Sequence, residues 1–203
     1  QVLQSQLERI NDKEPTATDK LVSILPYLFP LLDGFQYARF LVLENQDNPF
    51  AVLATLVYAL YRSVPFGGFI AFFALNFFAG KPGLNRLVRY NMQQAIFLDI
   101  ALFFPGLFSA LISLTGLPIP ADFAALTSDA IFFSLLLTVG YAMASSLFGV
   151  VPNKIPFVSE AVDARVPTAD TVMNNSEEFF SKLNIDVGRK ETKEVDADGS
   201  SAE

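Results

Sequence analysis

"GLNRLVRYNMQQAIFLDIALFFPGLF", residues 83–108, sets two arginines, two asparagines and two glutamines at the mouth of a long apolar run and then places an aspartate, Asp99, inside that run. A segment this apolar needs lipid or a protein core on every side. The polar mouth and the internal acid then need partners or water of their own. The remainder of the 203-residue chain points the same way, being 52% hydrophobic and only 17% charged, with 21 phenylalanines. A soluble domain of this size has too much surface for its volume to hide so much apolar area. The expected fold class is therefore all-α, a polytopic membrane protein with four transmembrane helices and one extra short interfacial or re-entrant helix.

Reading outward, the polar lead of residues 1–20 gives way to "LVSILPYLFPLLDGFQYARFLVL", residues 21–43, whose length fits a span. Pro26, Pro30 and Gly34 predict that this span is kinked, because proline withholds a backbone donor and crowds the preceding turn. Asp33, Gln36 and Tyr37 are three and four residues apart and are expected on one inward-looking face. The next apolar stretch is divided by Arg62. Residues 49–61 are too short to cross a ~30 Å hydrocarbon core upright and read as the interfacial or re-entrant helix, with residues 63–80 as the second span. A single bent helix with Arg62 turned to protein or water is the rival reading. Residues 95–120 and 130–153 read as the third and fourth spans, and Gly140, Ala144 and Ser145 in the last are spaced for close contact with a neighbouring helix.

Charge is segregated along the chain. Residues 1–20, 21–153 and 154–203 carry net charges of −1, −1 and −5, so the overall −7 belongs mainly to the tail. The acidic segment 154–203, poor in aromatics towards its end, is expected to be mobile, with one short helix around "SEEFFSKL". Lys81, Arg86 and Arg89 lie in the connection between the second and third spans, whereas Glu44, Asp47, Asp122 and Asp129 lie in the other two. That asymmetry places the basic loop and both termini on the positive, cytoplasm-like side.

Several functions are excluded by what is absent. The chain has no cysteine and no histidine, hence no thiolate nucleophile, disulfide framework or imidazole ligand. Its serines have no histidine to activate them, no glycine-rich phosphate loop is present, and nucleic acid as a partner would need a basic footprint that is missing. No catalytic, cofactor or metal residues are assigned, and an enzyme is not expected. The polar residues inside the membrane segments carry the functional reading. Asp99 would cost roughly 2.5–3.5 kcal/mol if ionised against lipid, so it should be neutral, paired or turned to a cavity. Asp33, Gln36, Tyr37, Arg89, Asn91, Gln94 and Asp99 form the candidate polar seam or passage lining. Arg62, Lys81 and Arg86 are read as boundary anchors whose stems snorkel to the headgroups.

Three stretches, "PLLDGFQYARF" at 30–40, "LYRSVPF" at 60–66 and "RLVRYNMQQAIFLDI" at 86–100, resemble in order and spacing the twenty-kilodalton subunit family of the translocon at the inner envelope membrane of chloroplasts. The family's characteristic residues fall on Asp33, Gly34, Tyr37 and Arg39, on Tyr61, Arg62, Ser63, Val64 and Pro65, and on Arg89, Asn91, Gln94, Ala95 and Asp99. Ala38, Met92 and Gln93 depart from the family pattern. The resemblance implies a four-helix protein of the plastid inner envelope with both termini in the stroma, helping preproteins cross the membrane. Its implied partners are other translocon subunits, transiting preproteins and membrane lipids.

The alternative is a structural or assembly subunit of a photosynthetic complex in the thylakoid membrane. Its partners would be photosystem or antenna subunits. Phenylalanine-rich spans could then pack against chlorophyll or carotenoid, or hold structural lipid. No cofactor is expected under the first reading.

Overall fold

A computed structural model describes residues 13–81, 83–116 and 118–168, together with positions 178 and 181. The first twelve residues and the remaining tail lie outside the described residues, as does the helix expected around "SEEFFSKL" apart from Glu178 and Ser181. Every regular element among the described residues is helical.

The first apolar stretch is built of five short pieces: α1 (Ala17–Ile24), a 3-10 turn (Leu25–Tyr27), α2 (Leu28–Gly34), a second 3-10 turn (Phe35–Ala38) and α3 (Arg39–Glu44). A capping box starts α1. The Thr16 hydroxyl accepts from the Asp19 N–H at 3.2 Å, and the Asp19 carboxylate accepts from the Thr16 N–H at 2.9 Å. Pro26 falls in the first tight turn, where its missing N–H does least harm. The expected kinks are present, but no piece of 21–43 is long enough to cross a membrane as one helix.

Asn48 caps α4 (Pro49–Ser63), which is followed after a three-residue break by α5 (Gly67–Ala79). The two axes differ by 83°. At the break Phe66 takes a left-handed φ of 58°, rare for an aromatic residue, and so ends one helix before the other begins. This corrects the expectation that 63–80 is a span in its own right. Alpha5 is only about 20 Å long at 1.5 Å per residue, and only the bent pair taken together has the length and apolarity to cross.

Helices α6 (Arg86–Leu114) and α7 (Ala121–Leu147) are each long and apolar enough to cross, giving two such helices among the described residues, or three if the bent pair counts as one. Both start nine residues before the expected spans 95–120 and 130–153. The cause in α6 is Asn85, whose side chain accepts from the Leu87 N–H at 2.9 Å and brings the polar mouth inside the helix. Asp99 is consequently about 20 Å from the helix start, and not one turn in.

Alpha7 meets the rest of the molecule through Phe132, Leu135, Val139, Ala142 and Ser146, a helical stripe. The small residues expected to make close contact do not make it. A Cβ on Gly140 would touch nothing within 4 Å, and Ala144 is exposed. The tight approach is at Gly34 instead, where a Cβ would overlap Leu135 Cδ2. The main core gathers Tyr27, Tyr37, Ala95, Leu98, Leu102 and these α7 residues.

The long-range contacts fix the register. Asn85 donates to the Lys13 carbonyl at 2.9 Å, Tyr27 meets Asn91, and Tyr37 donates to the Leu102 carbonyl at 2.7 Å. Residues 13–37 thus run alongside α6 in its own direction. After α7 the chain folds back onto the start of α6. There α8 (Val158–Asp163) and Val166 bury Tyr90, while Arg165 lies 5.0 Å from the Phe97 ring centroid. Residues 155–166 are therefore packed, which moves the start of any mobile tail well past 154. Outward-facing side chains such as Phe50 and Leu137 are 79% and 77% exposed, the surface a bilayer would cover.

Candidate functional site: a sealed polar lock and an open acidic cleft

The residues of the expected seam separate into two groups with different surroundings. Asn91 and Gln94 share one face of α6, as their spacing requires, but that face is closed. The Tyr27 hydroxyl shares its one proton between Asn91 Oδ1, at 2.8 Å, and Gln94 Oε1. Asn91 Nδ2 donates to Ser146 Oγ at 2.7 Å, and Ser146 Oγ donates to the Ala142 carbonyl at 2.7 Å. Gln94 Nε2 donates to the Pro152 carbonyl at 2.8 Å. Tyr27, Asn91, Gln94 and Ser146 have essentially no exposed surface. They lock four segments of chain together and have no face left for a passing molecule.

Asp33, Gln36 and Asp99 open instead onto a cleft of about 870 Å³. One wall is the end of α2, a second is the break between α4 and α5, and the third is the middle of α6 with Ile100 and Phe103. Tyr61, from the last turn of α4, donates its hydroxyl to Asp33 Oδ1 at 2.9 Å. The Asp33 and Asp99 carboxylates line this same cleft and feel each other's charge. Gly68 belongs to the second wall. A Cβ on Gly68 would lie 3.5 Å from Asp33 Oδ2 and 3.4 Å from the Tyr61 hydroxyl, ordinary contact distances that put the first turn of α5 beside the carboxylate. That turn is the positive end of the helix dipole, which suits an acidic neighbour.

Tyr37 does not join Asp33 and Gln36. Residues 35–38 form a 3-10 turn with three residues per turn, so positions 33 and 36 align while position 37 is rotated into the core, against Leu102. Arg62 is placed beside the acids. It lines the cleft from the last turn of α4, with its side chain exposed. The other cations stay at one end. Arg89 Nε donates to the Ala79 carbonyl at 2.9 Å and caps α5, Arg86 sits 5.8 Å from the Tyr90 ring centroid, and Lys81 lies 4.7 Å from that of Phe77. No group of metal-ligating side chains occurs among the described residues.

Sequence reasoning passed over Tyr27 and Ser146 as site residues and named Tyr61 only through resemblance. The available signal was chemical: a phenol inside an apolar segment needs a hydrogen-bond partner. Its partners are 64 and 67 residues away, and no local pattern could identify them.

The family described as "Chloroplast import apparatus Tic20-like" matches residues 3–162, a range that contains both the lock and the cleft. The chain is 34% identical over 164 residues to "Protein TIC 20-v, chloroplastic" of Arabidopsis thaliana, covering 79% of this chain and 77% of that protein. It is 34% identical over 155 residues to "Protein TIC 20-II, chloroplastic" of the same plant, covering 71% of each. A "Tic20 family protein Ycf60" of the alga Porphyra purpurea is 30% identical over 165 residues, covering 75% and 77%. No solved structure matches the chain.

Proposed function

Since the chain belongs to the Tic20-like family of the chloroplast import apparatus, and is thus a membrane component of the plastid inner-envelope import translocon and not an enzyme, we propose that its open cleft is the surface that meets the preprotein. The observation that carries this is the separation of the polar residues into a sealed set and an open set. A chain passing through hydrocarbon must exchange water for other hydrogen-bonding groups. The Asp33 and Asp99 carboxylates and the Gln36 amide oxygen offer such groups on the cleft lining, beside aromatic walls. Asn91 and Gln94 offer none, because theirs are already engaged. One chain of this size encloses no passage by itself, so the cleft is one side of a route completed by other translocon subunits. The photosynthetic alternative has no support among the relatives.

Four membrane traverses best account for the register. Residues 17–44 and α6 ascend side by side, and the α4–α5 pair and α7 descend, although the first and second traverses are broken ones. The contacts of Lys13 with Asn85 and of Val162 and Val166 with Tyr90 put both ends of the described chain at the basic end of α6. We assign that end to the stroma, following the basic residues Lys81, Arg86 and Arg89. In sealed inner-envelope vesicles of known orientation, a thiol reagent restricted to the stromal side should label a cysteine introduced at Lys81 and spare one at Asp47. The reverse pattern would overturn the assignment.

The functional test is photo-crosslinking to a preprotein arrested during import. Probes at Gln36 and Ile100 should capture it, whereas probes at Asn91, and at the outward-facing Leu137, should not. Capture at Asn91 without capture at Gln36 or Ile100 would refute the cleft as the contact surface.

A further inference from the structure

We propose that the cleft selects for basic side chains, holding one lysine or arginine of the passing polypeptide between the Asp33 and Asp99 carboxylates; this deepens the reading of the cleft as the preprotein contact surface and rests on it. The geometry comes first. The two acids come from different segments, α2 and α6, and are brought together on the wall of a cavity large enough for several side chains. Among the described residues neither acid is ion-paired. The Tyr61 hydroxyl donates to a single oxygen of Asp33. Gln36 spends its amide on the carbonyl of residue 33 in its own segment. Arg62 lies on the same lining but is exposed and pairs with neither acid.

The remaining walls suit a cation too. Phe69, Phe72, Phe73 and Phe103 present aromatic surface around the acids, and a cation within about 6 Å of such a ring is attracted by its electron-rich face. Two energetic penalties then offset one another. Neighbouring carboxylates at hydrocarbon depth repel and are poorly solvated, and a lysine or arginine crossing the same depth is disfavoured on its own account. Seating the basic side chain between the acids relieves both at once. The cleft opens sideways and does not enclose its occupant, so the contact favours entry without trapping the chain.

The test uses the full-length protein in lipid nanodiscs and a soluble extended peptide carrying one central arginine beside a photo-reactive residue. A matched peptide has citrulline in place of the arginine, which keeps size and most hydrogen bonds but removes the charge. The arginine peptide is expected to crosslink at the cleft with an apparent affinity about tenfold above that of the citrulline peptide, the ratio that about 1.4 kcal/mol of charge preference gives. In the double variant Asp33→Asn, Asp99→Asn, which is nearly isosteric, the ratio should fall to about one.

Equal crosslinking of the two peptides in the parent protein would overturn the charge selection while leaving the cleft as a contact surface. Absence of either peptide from the cleft, with arrested preprotein captured elsewhere on the same protein, would overturn both readings. Retention of the arginine preference in the double variant would show that other groups supply it. The comparison of peptides in the parent protein decides the matter even if the double variant fails to assemble.

Discussion

Replacing Gly34 with leucine is expected to lower the thermal midpoint of the detergent-solubilised protein by roughly 5–10 °C, the shift that about 3 kcal/mol produces in a chain of this size. Gly34 is the point where α2 presses against α7. A Cβ there already overlaps Leu135 Cδ2 and lies 3.4 Å from Leu102 Cδ1, so a full side chain must part three segments that meet at the core. An alanine would be less severe, because the methyl of Leu135 is the far end of a side chain and has some freedom to turn. Two controls isolate the cause. Gly140→Leu adds the same bulk to α7 where nothing lies within 4 Å, and should leave the midpoint within about 2 °C. Adding Leu135→Ala to the Gly34→Leu background should recover part of the loss, since it empties the space the new side chain needs. An unchanged midpoint in Gly34→Leu would mean that α2 and α7 do not approach as closely as the structure has them.

Gly34 also illustrates what periodicity leaves undetermined. Gly140, Ala144 and Ser145 carry the small-residue spacing associated with helix contact, yet Gly140 and Ala144 face outward on α7, because the stripe from Phe132 to Ser146 is what meets the first segment. Spacing says which residues share a face and leaves open which face is turned inward. The same limit explains Asn91 and Gln94. Their shared polar face was legible three residues apart, whereas its closure depends on Tyr27, Ser146 and Pro152, supplied by segments far away in sequence.

The lengths of the apolar runs made the helical membrane class plain, and Pro26 and Gly34 marked breaks in the first segment. The angle at a break is another matter. The 83° turn between α4 and α5 goes with the left-handed backbone of Phe66. That turn brings Tyr61 and Arg62 to the acids. From sequence the separation of Asp33 and Asp99 was open, and the meeting of the two is a product of tertiary packing.

Tyr27→Phe is expected to destabilise the protein by roughly 2–4 kcal/mol, which few single-atom deletions achieve. The phenol hydrogen is shared by Asn91 Oδ1 and Gln94 Oε1, so its loss leaves two fully buried acceptors without that donor, each worth on the order of 1–3 kcal/mol. Hydrogen bonds between membrane helices are often weaker than this, averaging about 0.6 kcal/mol, because the separated helices find other partners. The higher figure applies here because the lock is inside the protein and not at a lipid-facing seam. Tyr141→Phe removes the same atom from an exposed ring on α7 and should change stability by less than about 0.5 kcal/mol. The consequence should spread along the lock. With Gln94 no longer held by Tyr27, its bond to the Pro152 carbonyl loosens, and the returning segment that carries α8 should detach from α6. Trypsin would then reach Lys154 and Arg165 at concentrations that spare the parent. The cleft, which shares none of these hydrogen bonds, should still capture an arrested preprotein through a probe at Gln36. Loss of that capture in a Tyr27→Phe protein that still resists trypsin at Lys154 and Arg165 would show the opposite arrangement, with Tyr27 serving the cleft and not the lock.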